Sequence, residues 1–177
     1  SIPAKYFNNP NIKKGLRNAD GTGVVAGLTT VCNVHGYVLN EGDKVPDDGI
    51  LTYRGYNVTD LVQNVHKEGR FGFEEVTFLL LFGYLPNQEQ LTSFCELLGR
   101  CRELPRNFTE DMILKAPSAN IMNKLGRSVL ALYSYDHDPD NTQLEALMER
   151  CILLIARFPT IVGHAFQAKK HFFDHES

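Results

Sequence analysis

Apolar residues in Thr142–Phe173 recur every three or four positions, the spacing that places side chains on one face of an α-helix. No Gly–Pro loop signal interrupts the stretch, so we predict one long helix with a capping box at Thr142 and Glu145 and a kink at Pro159. Two helices broken near Pro159 are the alternative. Apolar residues surround most of the helix over 151–156, which indicates cover on several sides. The predicted buried face consists of Leu144, Met148, Cys151, Ile155, Phe158, Val162 and Ala165.

Five further helices are predicted upstream by periodicity and by start and stop signals. Asn87 with Gln90 three residues later predicts a capping box, and Gly83 after an apolar run predicts a helix end. The first predicted helix begins at Asn57 and runs through Val65, and the second covers 73–82. The third extends from Asn87 to about Arg102, the fourth covers 110–116, and the fifth extends from Ser118 to about Tyr135. Their predicted buried residues are Leu91, Phe94, Cys95, Leu98 and Cys101 on the third and Ile121, Met122, Leu125, Val129, Leu132 and Tyr133 on the last.

The N-terminal third has a different pattern. Residues 1–23 contain repeated Asn, Pro and Gly breaks and predict an extended arm. Residues 24–34 and 50–54 are β-branched and predict two strands, joined by a long polar connection over 40–49. The sequence therefore predicts a mainly α protein with a small N-terminal β hairpin. Its predicted parts are the arm 1–23, a β appendage 24–56 and a helical domain 57–177.

Composition narrows the class of protein. The formal net charge of -3 over 177 residues gives no electrostatic reason to expect nucleic acid or an acidic membrane as a partner. We see no apolar run near eighteen residues and no secretory leader, and so expect no membrane span. Four cysteines without metal-type spacing are consistent with a reducing cytoplasm. Cys95 and Cys151 fall on apolar helical faces, where we expect them to be buried as small hydrophobes.

Four ordered motifs together resemble the start of a citrate synthase. A Tyr-Arg-Gly-Tyr strand end precedes a helix, and Phe-Glu-Glu precedes a Leu-rich helix that stops at Leu-Pro. The resemblance covers essentially the whole chain and implies the N-terminal part of the family's multi-helical large domain. The matching stretches are Ile50–Leu61, Gly72–Pro86, Asn120–Tyr135 with Asp138–Asp140, and Ile155–Val162.

The resemblance implies an acyltransferase. Family members condense acetyl-CoA with oxaloacetate to give citrate and CoA, and close relatives use propionyl-CoA to give 2-methylcitrate. The family's catalytic His and Asp residues lie in segments beyond the point that matches Ser177. The resemblance therefore implies that this chain alone has no catalytic, cofactor-binding or metal residue and is inactive, with acetyl-CoA as a substrate of the parent enzyme.

The resemblance also implies a homodimer. In the family, the helices that match Ser118–Tyr135 and Thr142–Phe173 pack against their copies across a two-fold axis. The apolar circumference at 151–156 is what such an interface needs. A helical assembly module without enzymatic activity is the alternative from a different functional class.

Three sets of residues are candidate functional groups. Arg54, beside a Gly turn, is interpreted either as a substrate ligand or as a structural arginine that ties the strand end to carbonyls or carboxylates. His164, His171 and His175 lie near one helical face and could hold a metal, although a core or interface histidine is commoner. The segment 171–176 (HFFDHE) is similar to the family's His-Ala-Asp-His-Glu motif, but it lies too soon after the Pro-Thr-Ile-Val helix to match.

Overall fold

The computed structural model describes Arg17, Gly23 and residues 29–174. Most of the predicted arm 1–23, residues 24–28 of the first predicted strand, and His175 lie outside the described residues. The chain divides into two compact units, residues 1–85 and 86–177. In the described part, helices dominate and the strands form a small three-stranded sheet, so the mainly α class is confirmed.

The first unit contains an antiparallel sheet of β1 (Cys32–Asn40), β2 (Asp43–Tyr53) and β3 (Tyr56–Asn57), in the order β1-β2-β3. The predicted long connection over 40–49 is wrong. Glu41 and Gly42 have φ angles of 51° and 94°, and they turn the chain in two residues. Most of the supposed connection therefore belongs to β2, where Val45 pairs with Val38 of β1.

Two helices complete the first unit, and both are close to their predicted bounds. In α1 (Val58–Lys67), the Asn57 side chain accepts a hydrogen bond from the Thr59 N–H at 2.9 Å. The helix α2 (Phe73–Phe82) ends at Gly83, whose N–H donates to the Leu79 carbonyl and whose left-handed φ of 88° turns the chain out of the helix. The buried apolar residues of these helices are Leu61, Phe78 and Leu79.

The second unit begins with α3 (Gln88–Arg100), and its predicted capping box is confirmed. Asn87 Oδ1 accepts from the Gln90 N–H at 2.8 Å, and Gln90 Oε1 accepts from the Asn87 N–H at 2.9 Å. The predicted α-helix over 110–116 is instead a π-helix, Thr109–Leu114. Just past its end, the Lys115 N–H bonds to the carbonyl of Glu110, five residues earlier.

Two longer helices follow, and their starts differ from the prediction. Asn120, not Ser118, caps α4 (Ile121–Leu132), because its Oδ1 accepts from the Asn123 N–H at 2.9 Å. A 3₁₀ turn, Tyr133–Tyr135, extends this helix. The long helix α5 (Leu144–Phe172) is continuous through its proline, so the single-helix prediction is confirmed and the broken alternative is wrong.

The predicted capping box of α5 is also wrong. Gln143 is the N-cap residue, and no side chain caps the first turn. Asn141 Oδ1 instead accepts from the Gln143 N–H at 2.9 Å, so a loop amide orders the chain just before the helix. The start of α5 therefore depends on the preceding loop more than on Thr142.

The predicted buried faces of α4 and α5 are partly wrong. Only Ala165 of the seven predicted positions on α5 is buried, since this helix meets its own unit through Ala156, Ile161, Ala165 and Ala168. Both Cys95 and Cys151 are exposed, contrary to prediction, and so are Met122, Val129 and Tyr133. The core of the unit consists of Phe108, Ile113, Leu125, Leu132, Ile161 and Ala168.

The helix α5 passes a length and composition test for a membrane span. Among the described residues it is the one helix long and apolar enough to do so, which contradicts our expectation that no such run exists. The core helix of a soluble protein passes the same test, so this is weak evidence. Only 22% of its most apolar window is buried, which leaves much of its surface open.

Lys124 is the charged residue buried most deeply in the described core. Its side chain donates to the carbonyl oxygens of Met112 and, at 2.9 Å, Ala116. These carbonyls flank the end of the π-helix, where backbone acceptors lack helical donors. Burial lowers the pKa of Lys124, and the positive charge of Arg127 lowers it further. The lysine thus joins α4 to the end of the π-helix.

We predict that Lys124→Ala lowers the free energy of unfolding by about 2–3 kcal/mol, because it leaves two carbonyls without their charged donor. Urea unfolding followed by circular dichroism would measure this. Lys115→Ala is the matched control, since Lys115 lies beside the same π-helix but makes only an exposed ion pair with Asp111. Equal stability of the two variants would contradict the role given to Lys124.

Candidate functional site

Arg54 lies in the tight turn between β2 and β3. Its φ is 49° and that of Gly55 is 89°, both in the left-handed region. The guanidinium donates to the Leu80 carbonyl from Nη2 at 2.8 Å and from Nε at 3.3 Å. Leu80 belongs to the last turn of α2, whose carbonyls have no donors within the helix. These contacts favour the structural interpretation of Arg54 over a substrate ligand.

The backbone of Arg54 is held as firmly as its side chain. Its N–H donates to the Val31 carbonyl at 2.7 Å. A left-handed conformation is costly for a residue other than glycine, so this position must be held by surrounding bonds. The side-chain bonds to Leu80 give a reason for an arginine here, because a side chain that starts at this turn and reaches the end of α2 must be long and must carry a donor.

A cavity of about 670 Å³ lies between the end of α4, the loop that follows it, and the first half of α5. Its lining is partly apolar and partly charged. The apolar residues come from α4, the 3₁₀ turn and α5, and the charged groups come from the loop and from α5. The lining includes the apolar or aromatic residues Leu132, Tyr135, Leu153 and Leu154 and the polar residues Asp136, His137, Glu149, Arg150 and Arg157.

Arg150 binds the loop that borders this cavity. Its Nε donates to Asp136 Oδ2 at 2.7 Å, its Nη1 donates to the Asn141 carbonyl at 2.6 Å, and its Nη2 donates to the Asp138 carbonyl. The pKa of Asp136 is lowered, first by the hydrogen bond from the Asp138 N–H and then by Arg150. This guanidinium therefore orders the loop and has three intramolecular partners.

Two other polar groups at the cavity are also engaged by the chain itself. The Tyr133 hydroxyl donates to Asp140 Oδ1 at 3.0 Å, and this carboxylate raises the pKa of Tyr133. The Arg157 Nε donates to the Glu103 carbonyl at 3.0 Å. The condensation that the resemblance implies needs a free base and a hydrogen-bond donor placed where negative charge develops. The bonds of Tyr133 and Arg157 hold the loop and α5 in place, and they do not identify either residue as that base or that donor.

His164 and His171 line a second cavity, of about 350 Å³, together with Thr109, Gln167 and Lys170. They are seven residues apart on α5, which separates them by about 10 Å along the helix axis. Among the described residues, no group of three or more His, Cys, Asp or Glu side chains could hold a metal ion. His175, the third residue of the metal hypothesis, lies outside that part of the chain.

The segment 171–176 shows two further contacts. Asp174 Oδ2 accepts from Lys169 Nζ at 2.6 Å, which ties the residue to the last turn of α5. The His171 and Phe172 rings are nearly perpendicular, with 4.9 Å between their centroids. His175 and Glu176 are outside the described residues, so the structure brings together only part of this candidate motif.

Sequence analysis missed the two cations with the clearest roles, Lys124 and Arg150. Lys124 follows Asn123 within the predicted helix, and two polar residues in a row are typical of an exposed helix face. Its carbonyl partners are eight and twelve residues away. Arg150 had a signal: it precedes the apolar run 151–156, and an acidic loop lies nine to fourteen residues before it. A lone arginine in that setting indicates an ion pair with the loop.

A family model described as citrate synthase, C-terminal domain, matches residues 17–176. The mainly helical fold and this match over most of the sequence define the class of protein. The chain belongs to the citrate synthase family.

Individual relatives agree with this assignment. The chain is 32% identical over 125 residues to citrate synthase from Corynebacterium glutamicum, covering 70% of this chain and 27% of that protein. It is 32% identical over 154 residues to 2-methylcitrate synthase from Mycobacterium tuberculosis, covering 87% and 33%. The chain thus spans about a third of the length of these relatives.

A solved structure shows the same fold. Citrate synthase from Thermoplasma acidophilum, in a ternary complex with carboxymethyl coenzyme A and oxaloacetate, superposes with a TM-score of 0.67. The sequence identity is 20%, and the match covers 92% of this chain and 37% of that one. The described fold is therefore similar to that of part of a citrate synthase.

We predict that Arg54→Ala lowers the free energy of unfolding by about 1–2 kcal/mol, because the Leu80 carbonyl loses its donor. Arg54→Gly loses the same bonds but removes the left-handed strain, so it should be less destabilising than Arg54→Ala. Urea unfolding of the three proteins would measure both differences. An alanine variant as stable as the wild type would contradict the capping role.

Proposed function

We propose that this chain is the N-terminal portion of a citrate synthase-type acyltransferase and contributes its fold and its dimer contacts. The complete enzyme would condense acetyl-CoA with oxaloacetate to give citrate and CoA. The observation that carries this proposal is the family match over residues 17–176. The ternary complex of the Thermoplasma relative with a coenzyme A analogue and oxaloacetate is consistent with these substrates.

The alternative is a 2-methylcitrate synthase, which takes propionyl-CoA. Relatives of both names are 32% identical to this chain over their aligned residues, so the comparisons support the two acyl groups equally. We propose acetyl-CoA as the substrate because the ordered sequence motifs resemble those of a citrate synthase.

We further propose that the chain alone is inactive, needs no cofactor, and belongs to a cytoplasmic protein. Arg150 and Asp136 at the cavity of about 670 Å³ are engaged in intramolecular bonds, and the chain covers about a third of its relatives. All four cysteines are free, which fits a reducing compartment.

Homodimer formation is the second part of the proposal. Large apolar side chains are exposed on α4 and α5, and their exposed fractions together equal about five full side chains. At roughly 150 Å² each, this area approaches the ~800 Å² that one partner buries in a standard interface. The exposed residues are Met122, Val129 and Leu130 on α4, Tyr133 in the 3₁₀ turn that follows it, and Leu144, Leu147, Leu154, Phe158, Phe166 and Phe172 on α5.

A second copy explains this surface better than a membrane does. The middle of α5 is bonded to its own unit: the Arg157 Nε donates to the Glu103 carbonyl, and the Thr160 hydroxyl donates to the Arg102 carbonyl at 3.4 Å. Ala156 and Ile161 of the same helix lie in the core. A spanning helix would have to give up these contacts, whereas an interface helix keeps them.

The enzymatic proposal can be tested by coenzyme A release, followed with a thiol reagent, from acetyl-CoA or propionyl-CoA with oxaloacetate. We predict no release above background for this chain alone. A chimera in which the chain replaces the matched segment of the Corynebacterium glutamicum relative should release coenzyme A.

Turnover by the isolated chain would overturn the inactive assignment and make His171, Asp174 and His175 the first residues to replace. A soluble, dimeric but inactive chimera would count against the function.

The dimer can be tested with Leu130→Glu, which introduces a charge at a side chain that is 77% exposed. We expect the wild type to sediment as a dimer and this variant as a folded monomer. The new carboxylate stays in solvent in the monomer, but in the dimer it would be buried without a partner, which is costly. Val62→Glu on α1, also at an exposed apolar position, is the control and should leave association unchanged. Identical sedimentation of all three proteins would contradict the proposal.

A further inference from the structure

The cavity of about 350 Å³ beside the π-helix and the last turns of α5 is lined mainly by hydrogen-bond donors. His164, Gln167, Lys170 and His171 come from α5, and Thr109 comes from the π-helix. We call this site the donor cavity. None of the residues in its lining is an aspartate or a glutamate. Such a lining suits a ligand that brings oxygen acceptors.

The acidic residues nearest to the donor cavity along the chain are directed at other lysines. Asp111 Oδ1 accepts from Lys115 Nζ at 2.5 Å, and this hydrogen bond raises the pKa of Lys115, with a smaller effect from the charge of Glu110. Asp174 Oδ2 accepts from Lys169 Nζ at 2.6 Å. These carboxylates therefore lie beside lysines outside the cavity lining.

The spacing of the donors along α5 gives the donor cavity its length. His164, Gln167 and His171 follow one another at steps of three and four residues, which places them on one face of the helix. The two histidines are about 10 Å apart along the helix axis, with the amide of Gln167 between them. Ala168, only 3% exposed, and Leu114 of the π-helix add apolar surface. The site is thus elongated, with an imidazole towards each end.

Histidines bind metal ions and anions alike, and Lys170 decides between the two. Its ammonium has donors but no acceptor, and it repels a cation. The carboxyl end of α5 opposes an anion, because its dipole is equivalent to about half a negative charge. The full positive charge of Lys170 exceeds that half charge. The charges at the cavity therefore favour an anion.

We propose that the donor cavity binds a small organic dianion, with one acidic group at His171 and Lys170 and the other at His164. Carboxylates and phosphate esters both supply the required oxygen acceptors. The apolar residues Leu114 and Ala168 suit the carbon backbone between the acidic groups. The cavity volume lies near the lower end of the roughly 300–1,000 Å³ that is usual for ligand sites. This site is separate from the proposed condensation and does not depend on it.

Three substitutions test the donor cavity. Lys170→Gln removes the positive charge and keeps most of the side-chain length, while His164→Ala and His171→Ala each remove one imidazole. The probes are adipate as a dicarboxylate, fructose 1,6-bisphosphate as a bisphosphate, and inorganic phosphate. We expect isothermal titration calorimetry of the full chain to show binding of at least one dianion and weaker binding of inorganic phosphate. Each substitution should raise the dissociation constant of that dianion about tenfold, since it removes one charge-assisted contact.

His66→Ala is the matched control, because His66 is an exposed histidine on α1 in the other unit, and this variant should bind like the wild type. In NMR spectra, the ring signals of His164 and His171, assigned by their loss in the alanine variants, should move when the dianion binds. Tighter binding of adipate would identify a carboxylate ligand, and tighter binding of the bisphosphate a phosphate ester, and both results support the site. The proposal is wrong if neither dianion binds, if the three substitutions leave binding unchanged, or if both ring signals stay in place.

Discussion

The bonding of cationic side chains to carbonyl oxygens at the ends of helices is the interaction on which the described structure depends most. Arg54 serves the end of α2, Lys124 serves the end of the π-helix, and Arg157 serves the segment after α3. The last carbonyls of a helix have no donors within it and carry the negative end of its dipole. A positive side chain from another element meets both needs at once, and it fixes that element to the helix end.

This use of cations changes how the sequence should be interpreted. A buried arginine beside a glycine suggests substrate binding, yet the guanidinium of Arg54 binds the backbone of its own unit. The same holds for Arg150, which has three partners in one loop. Charges engaged in this way hold the chain's own backbone in place, which is consistent with the proposed role in fold and assembly.

Sequence analysis succeeded where the determining bonds are local. The caps at Asn57 and Asn87 and the helix end at Gly83 depend on groups within four residues, and all three were predicted. It failed at one local bond, where Asn120 instead of Ser118 is the cap, and at contacts between distant residues, since Lys124 reaches carbonyls eight and twelve residues away. The family was predictable because its motifs are ordered along the sequence. The carbonyl partners of Arg150 at Asp138 and Asn141 were not, since they depend on how the loop folds.

The error in the buried face of α5 has a physical explanation. The predicted stripe includes Leu144, Cys151 and Phe158, which are seven residues apart and exposed, while its own unit packs on Ile161 and Ala168. Periodicity detects every apolar face of a helix but does not say which molecule covers it. A helix that packs on its own unit along one side and on a second copy along another would show both stripes in one sequence. The misassigned face is therefore what the sequence of an interface helix should produce.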